Sequence, residues 1–343
     1  MHVTPFDPAT AGDTELGQWR EVLNAMTETD MPGEPRWQPD RLREYLSVTM
    51  PGERRLAFVA RDDDGRIIGH ANLLLFGGEF RHLGVFEIFV HPRHRGRGAA
   101  KRLLAAVAHR AHVEGRETIG VEVIATTPAV GFYDRLGFSR EVVENRNLLR
   151  MSDVDWESVD AASRRVAAGY RLEYFTGGLP ESLLERYAAT KAHLRTAPMG
   201  SSGTWRGSAD ARRLRDSLTT LAARGMRSHL VVALSDPAEL VVGLTELVVA
   251  EQRPTRGDQY DTVVAPAHRS YGLGMVMKAR MLRELRTAEP QLVDVQTWNA
   301  LADGPSAFVD AELGFRTDVQ WYEYTASVAR LVEELAPPVT GVG

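Results

Sequence analysis

The chain has 343 residues, no cysteine, a net charge of −5, and 43% hydrophobic and 25% charged residues, a length that fits two domains and a composition typical of soluble globular proteins. The missing cysteines exclude disulfides, thiolate nucleophiles and cysteine-based zinc sites, and the acidic balance argues against a general nucleic-acid or anionic-membrane binder. MHVTPFDPATAGDTE lacks a basic stretch followed by an apolar run, and no apolar run is long enough to span a bilayer, so a cytoplasmic protein is expected.

In chain order, His2–Asp7 reads as a strand and Leu16 to Met26 as a helix. Thr27 to Pro39 (TETDMPGEPRWQP) is rich in turn formers and reads as a loop, after which Asp40 can cap a helix over Arg41–Val48. The apolar runs Leu56–Ala60 and Ile67–Phe76 flank the hairpin turn Asp62-Asp63-Asp64-Gly65. Val85–Val90 is a strand apolar at nearly every position except Glu87, and Pro92 ends it. Arg95 to Ala100 (RGRGAA) turns the chain into a helix marked by Leu103, Leu104, Val107, Ala108 and Ala111 and stopped by Gly115. Thr118–Ala125 is the next strand. Pro128 opens a helix carrying Gly131-Phe132-Tyr133-Asp134-Arg135, and Leu136-Gly137-Phe138 leads into a hairpin to about Arg150. Ser152 to Gly169 reads as a connecting helix.

The pattern then begins again. Tyr170–Phe175 is a strand, Pro180 opens a helix to about Leu194, and Arg195–Ser208 is a Gly/Ser loop. His229–Leu234 and Leu240–Val249 form a hairpin, and Tyr260–Ala265 leads into a second glycine loop. Leu292–Thr297, a helix near Ser306–Glu312, Leu313-Gly314-Phe315 and a closing hairpin to Thr325 complete the copy, and residues 335–343 read as a disordered tail. Loop, helix, strand, helix and LGF recur in one order, so the chain is a long-period repeat. The expected layout is a first domain over 1–150, a connecting helix over 151–169 and a second domain over 170–328. Each domain is α/β (α+β), with a central mixed sheet flanked by helices.

A glycine loop emptying into a helix N-terminus aims free backbone N–H groups at one point, where the helix dipole favours an anion. The nucleotide P-loop pattern is absent. The dinucleotide pattern G-x-G-x-x-G fits Gly96 and Gly98 but meets Lys101 at its third glycine, and Ser270 replaces the first glycine in the second copy. What both copies keep is Arg95-x-x-Gly98-x-Ala100 and Arg269-x-x-Gly272-x-Gly274.

That shared pattern resembles the acyl-CoA signature of the GNAT superfamily of N-acetyltransferases. VHPRHRGRGAAKRLL is similar to the family's strand–loop–helix motif and AVGFYDRLGF to its C-terminal motif. The two halves together resemble a tandem GNAT protein over nearly the whole chain. The resemblance implies two acyl-CoA N-acyltransferase domains using acetyl-CoA as co-substrate and no metal. It implies that the backbone of Arg95, Gly96, Arg97, Gly98, Ala99 and Ala100 holds the CoA pyrophosphate, with charge from Arg95, Arg97 and Lys101. The pantetheine arm is expected along Ile88, Phe89 and Val90, with a backbone N–H near Phe89 polarising the thioester carbonyl. Tyr133 matches the family tyrosine near the CoA sulfur. Thr126 stands where the family often has an asparagine.

In the second copy the corresponding CoA positions are Val263, Val264, Arg269, Ser270, Tyr271, Gly272, Leu273 and Gly274. Asp303 and Asp310 replace the asparagine and the tyrosine, and Ser270-Tyr271 crowds the loop. Asn299 reads as a cleft residue or a satisfied core amide.

Glu87, alone in an apolar strand, is either a base taking a proton from the attacking amine or a rim carboxylate, and Asp261 matches it in the second copy. Acceptor choice in the family lies in the loop between the first two helices. Here that loop offers Glu28, Asp30, Glu34 and Trp37 to a cationic amine. His91, His94, His109 and His112 lack the spacing of a zinc site, so no metal is expected. The expected function is acetyl transfer from acetyl-CoA to a primary amine of a small molecule, with the first half as the catalytic unit in a monomer or homodimer. The alternatives are a non-catalytic acyl-CoA-binding module and a protein or peptide N-acetyltransferase.

Overall fold

A computed structural model describes residues 1–196, 210–300 and 304–335. In chain order the first elements are β1 (His2–Phe6), α1 (Asp13–Asp30), α2 (Leu42–Ser47), β2 (Glu53–Arg61), β3 (Ile67–Phe76), β4 (Leu83–Val90), α3 (Ala99–Val113), β5 (Thr118–Ile124), α4 (Ala129–Arg135) and β6 (Ser139–Arg150). There follow α5 (Trp156–Arg164), β7 (Tyr170–Thr176), α6 (Glu181–Lys191), α7 (Ala211–Ala223), β8 (Met226–Ser235), β9 (Leu240–Ala250), β10 (Arg256–Val264), α8 (Leu273–Ala288), β11 (Asp294–Ala300), α9 (Gly304–Glu312), β12 (Arg316–Ser327) and α10 (Val328–Leu335). None of the described helices is long and apolar enough to cross a membrane.

Two compact units form, and their borders differ from the expected ones at 150 and 170. One unit is Met1–Val142 together with the stretch from Trp321 onward; the other is Val143–Gln320. The borders move because each copy gives its last strand to the other. In the first unit β5 pairs antiparallel with the Trp321–Ser327 part of β12, Ile124 opposite Trp321 and Thr118 opposite Ser327. In the second unit β11 pairs antiparallel with the Glu144–Arg150 part of β6. The first unit's sheet runs β1-β2-β3-β4-β5-β12 and the second's β6-β11-β10-β9-β8-β7. Within these two sheets β4/β5 and β10/β11 pair in parallel.

The hairpins expected before Arg150 and Thr325 are therefore single strands of 12 residues each. Asn145-Arg146-Asn147 has the composition of a turn, but partners within the second unit consume its polar groups. The nearly buried Arg146 guanidinium forks onto Asp318 and reaches Gln296, and Asn147 Oδ1 accepts from Thr317 at 2.6 Å. Arg256, opposite Asp294 in the parallel ladder, is 1% exposed and pairs with it at 2.5 and 2.9 Å. Such pairs fix register, because a one-residue slip would bury each guanidinium without its carboxylate.

Strand alternation sorts side chains to two faces. In the first unit Ala57 and Val59 meet α1 and α2 through Trp19, Val22, Leu23 and Leu46, while Phe58, Ala60, Leu73 and Phe86 meet α3, α4 and α10. In the second unit α6 and α7 cover one face and α5, α8 and α9 the other. α1 runs past the expected end to Asp30, and within the extra turn the Thr27 and Thr29 hydroxyls bond back to the Leu23 and Ala25 carbonyls, which gives these polar side chains partners inside the helix. Asp40 does not cap α2: the capping residue is Arg41, left-handed at φ 51° and without a side-chain cap. α7 and α10 were not expected. α10 buries Val328 and Leu331, and Ala-Pro-Pro follows it in the sequence. Most of the expected Gly/Ser loop (197–208) and the tail (336–343) lie outside the described residues.

Strand exchange has a direct consequence. Residues 151–343 expressed alone lack β6, with its buried Arg146 and Leu149, and should show no cooperative thermal transition by circular dichroism, whereas residues 143–320 should melt cooperatively. A sharp transition in both would contradict the exchange.

Candidate active site

β4 and β5 pair as Leu83–Thr118, Gly84–Ile119 and Val85–Gly120, and the ladder then stops although both strands continue. Beyond Val85 they open a wedge. His91 N–H donates to Ile68 O on β3 at 3.0 Å, and alternation of an antiparallel ladder turns the N–H groups of Phe89 and Glu87 to β3 as well. Those of Ile88 and Val90 face the wedge. The amide expected near Phe89 is thus an Ile88 or Val90 amide. The second unit repeats the wedge after Asp258–Gln296, and there Ala265 N–H donates to Val242 O, so Val264 faces the gap and the buried Val263 faces β9.

The loop after β4 turns through Gly96 (φ 73°) and Gly98 (φ 84°), left-handed conformations that a Cβ would strain. Among the described residues no side chain caps α3, although Asp155 caps α5 and Asp210 caps α7. The N–H groups of Ala99, Ala100 and Lys101 stay open in a first turn that holds no acid. Space beside Gly96 and Gly98 is clear for 4 Å where a Cβ would project. A helix N-terminus of this kind can accept an anion such as a phosphate. Arg97 and Lys101 are exposed and carry no ion pair among the described residues.

Arg95 has a different task from the one expected. Its Nε donates to Val90 O at 3.3 Å, and its fork grips Asp30 at 2.8 and 2.6 Å. Arg95 fastens the loop to the end of α1, and Asp30, expected at the acceptor, is consumed there. In the second unit Arg269 makes the same Nε bond, to Val264 O at 3.2 Å. Ser270 (φ 72°) and Gly272 (φ 71°) retain the turn, so the substitution costs about 1–2 kcal/mol of left-handed strain without changing the path. Tyr271 does not fill the loop. It is 53% exposed, with its ring 5.4 Å from that of Tyr170. Leu273 is buried, and the space beside Gly274 is open.

Tyr133, on α4, is 4% exposed and lies among Phe86, Phe132, Phe138 and Tyr324, with ring centroids 5.0–6.1 Å away. Phe86 is the residue after the last rung of the β4/β5 ladder, so the tyrosine sits against the wedge. Its hydroxyl has no hydrogen bond among the described residues, and burial pushes its pKa well above the usual 10. Thr126 is exposed between β5 and α4. At the tyrosine's place in the second unit, Asp310 is buried, ion-paired to Lys278 and bonded by Asn299 Nδ2 at 2.8 Å. Asn299 is thereby a satisfied core amide. Asp303 lies outside the described residues.

On the α1 side of the sheet Glu87 is exposed, opposite Asn72, whose Nδ2 donates to it at 3.2 Å. Glu87 has no ion pair among the described residues. The expected acceptor loop is largely spoken for: Glu28 pairs with Arg36 at 2.8 Å, Glu34 is half-buried in a turn, and Asn24 holds both backbone groups of Trp37. His70 was not expected here. It is fully buried, stacked 4.1 Å from Trp19 with the tilted ring of Phe89 5.0 Å away, neither ring nitrogen is hydrogen-bonded among the described residues, and burial lowers its pKa to about 3. Its sequence signal was a lone titratable group in the apolar run IIGHANLLLF.

Comparison with known proteins bears on this geometry. A family model described as "Acetyltransferase (GNAT) family" matches residues 19–138. A mycothiol acetyltransferase of Kineococcus radiotolerans is 30% identical over 233 residues, 68% of this chain and 70% of that relative. The chain belongs to the GNAT acetyltransferase family. A second mycothiol acetyltransferase, from Amycolatopsis mediterranei, is 29% identical across 90% of this chain and 95% of its own length. The fold of this GNAT protein matches a tandem GNAT protein from the clavulanic acid biosynthesis pathway at TM-score 0.81 and 23% identity, over 95% of this chain and 98% of that one. The tandem GNAT layout and N-acetyltransferase class expected from the sequence are borne out. Acetyltransferases of this family use acetyl-CoA.

His70 makes the first unit acid-sensitive. Its folded pKa lies below the unfolded 6.5, so between pH 6.5 and 3 the unfolded chain binds a proton that the folded chain refuses, and stability falls as pH falls. At pH 5 the loss is about 2 kcal/mol. His70→Phe should shrink the difference in urea unfolding free energy between pH 7 and pH 5 by about that amount; an unchanged difference would contradict it.

Proposed function

We propose that this GNAT protein transfers acetyl from acetyl-CoA to a primary amine of a small molecule by direct attack in a ternary complex, with the first unit as the working site. The observation that carries this reading is one conjunction. A helix N-terminus and a tyrosine hydroxyl that have no side-chain partner among the described residues adjoin a strand wedge with inward amides in the first unit.

In this reading the Ala99, Ala100 and Lys101 amides hold the pyrophosphate, and Arg97 and Lys101 add charge. Arg95 acts through position, keeping the loop against β4. The Ile88 and Val90 amides bond the acyl-carrying arm and stabilise charge on the thioester oxygen. Glu87 attracts the acceptor's ammonium and takes its proton, directly or through water, before nitrogen bonds to the acyl carbon and the carbon–sulfur bond breaks. Tyr133 donates a hydrogen bond to the departing sulfur. A thiol titrates near 8.5 and this tyrosine above 10, so complete proton transfer would be uphill by more than about 2 kcal/mol. Hydrogen bonding with concerted protonation is the role that fits.

A small-molecule acceptor is favoured over a peptide by the names of the two mycothiol acetyltransferases. The Asn24–Trp37 clasp also anchors the loop at the acceptor side. For the second unit a specific observation favours binding without turnover. The matching place for a sulfur acid holds Asp310, whose oxygens are engaged by Lys278 and Asn299.

Tyr133→Phe should lower kcat by about 10²-fold while leaving the CoA dissociation constant unchanged, read by thiol release and by calorimetry. An unaltered kcat would remove the tyrosine from the mechanism.

A further inference from the structure

The face of the second unit covered by α6 carries a polar group that the reading above does not use. Val264 stands opposite Gly243 and Val263 opposite Leu244, as Val90 and Phe89 stand opposite Gly69 and His70. Continuing this correspondence, Glu246 takes the place of Asn72 and Asp261 that of Glu87. The ladder shifts register between Gln259 and Thr262, so Asp261 sits in a bulge. In the first unit the pair is one amide and one exposed carboxylate, with no cation on it among the described residues. In the second unit it is two carboxylates, and an ammonium lies between them.

That ammonium is Lys191, the last residue of α6. Its Nζ is 2.7 and 2.6 Å from the two oxygens of Glu246 and 3.0 Å from Asp261. The hydroxyl of the fully buried Tyr187, one turn earlier on α6, donates to Glu246 at 2.5 Å. Glu246 is 9% exposed. Burial pulls the Lys191 pKa down, and the two carboxylates more than reverse this, so the side chain stays an ammonium. A primary alkylammonium therefore sits in a cage of two carboxylates at the strand positions where, in the other unit, a single carboxylate stands open.

We propose that Glu246 and Asp261 form a binding site for a primary alkylammonium that the tethered side chain of Lys191 fills, which closes the second unit to external amines. Closure rests on the reading that this sheet face is the acceptor side; the ammonium site itself does not. A free primary amine of similar width should replace the tether once it is removed, while a quaternary ammonium, which has no N–H to donate, should not.

The test uses the full chain with Lys191→Ala, and Lys191→Met as a control that fills the same volume without charge. Thermal unfolding is followed in millimolar propylammonium chloride, tetramethylammonium chloride or sodium chloride. Lys191→Ala should melt below the wild type. Propylammonium should restore at least half of the lost melting temperature, saturably, and the other two salts should not. The wild type and Lys191→Met should not respond. Equal responses to all three salts, or none, would overturn the proposal. If Lys191→Ala does not fold, competitive acetic anhydride labelling of the wild type decides. Lys191 should react at least about tenfold more slowly than the exposed Lys101, since each unit of raised pKa removes free amine tenfold; equal rates would overturn the site. Neither readout depends on catalysis by the protein, so this proposal and the acetyltransferase reading can fail separately.

Discussion

A parallel ladder that stops early leaves backbone groups in need of partners. After Val85 the amides of Ile88 and Val90 are turned away from β3 and have no rung with β5, while β3 pairs along the other edge of β4 as far as Val90. Everything else in the first unit is arranged around that gap. β5 holds its own course because β12 pairs with it along the far edge. The turn at Gly96 and Gly98 lets α3 start beside the opening with its first amides uncapped, and Arg95 ties that turn to Val90 and to α1. Backbone donors turned into such a gap are costly unless something bonds them, which is why the proposed function puts the acyl-carrying arm there.

The two units keep this frame and differ in the groups placed on it. Both retain the wedge, the arginine bond to the last strand carbonyl and the left-handed turn, even where Ser270 replaces a glycine. The groups that would carry chemistry diverge. Beneath the wedge, Tyr133 in one unit answers to an ion-paired Asp310 in the other. On the acceptor side, an open Glu87 answers to an Asp261 already in contact with Lys191. Backbone geometry is shared and side-chain chemistry is not, which is the pattern expected when one copy keeps a reaction and the other keeps a scaffold.

Much of this was legible in the sequence because it depends on backbone rules. Glycines at Gly96 and Gly98, Pro92 as a strand stop and the 3.6-residue spacing of Leu103 to Ala111 are local signals, and the loop and helix stand where those signals put them. Comparing the copies also favours a CoA loop over a dinucleotide loop, because Ser270 stands where the dinucleotide pattern needs its first glycine. What could not be read locally was partnership. The exchange of β6 and β12 depends on pairs such as Arg146–Asp318, which are far apart in sequence and look like turn residues in isolation. For the same reason Arg95 and Asp30 read as two separate ligand contacts, although each is the other's counter-ion. His70 was missed because a lone polar residue in an apolar run has no spacing to betray its surroundings, and Lys191 because it ends a helix rich in charges whose partners lie on distant strands.

The central claim is that the first unit's loop and wedge hold the acyl donor for turnover. It is tested most directly by free-thiol release from acetyl-CoA over a panel of primary amines, comparing the intact protein with Gly98→Val. That substitution puts a β-branched side chain at a left-handed position in the open space beside the first amides of α3. The account predicts amine-dependent release by the wild type and a loss of about 10²-fold or more in the variant. Undiminished release by Gly98→Val would contradict it.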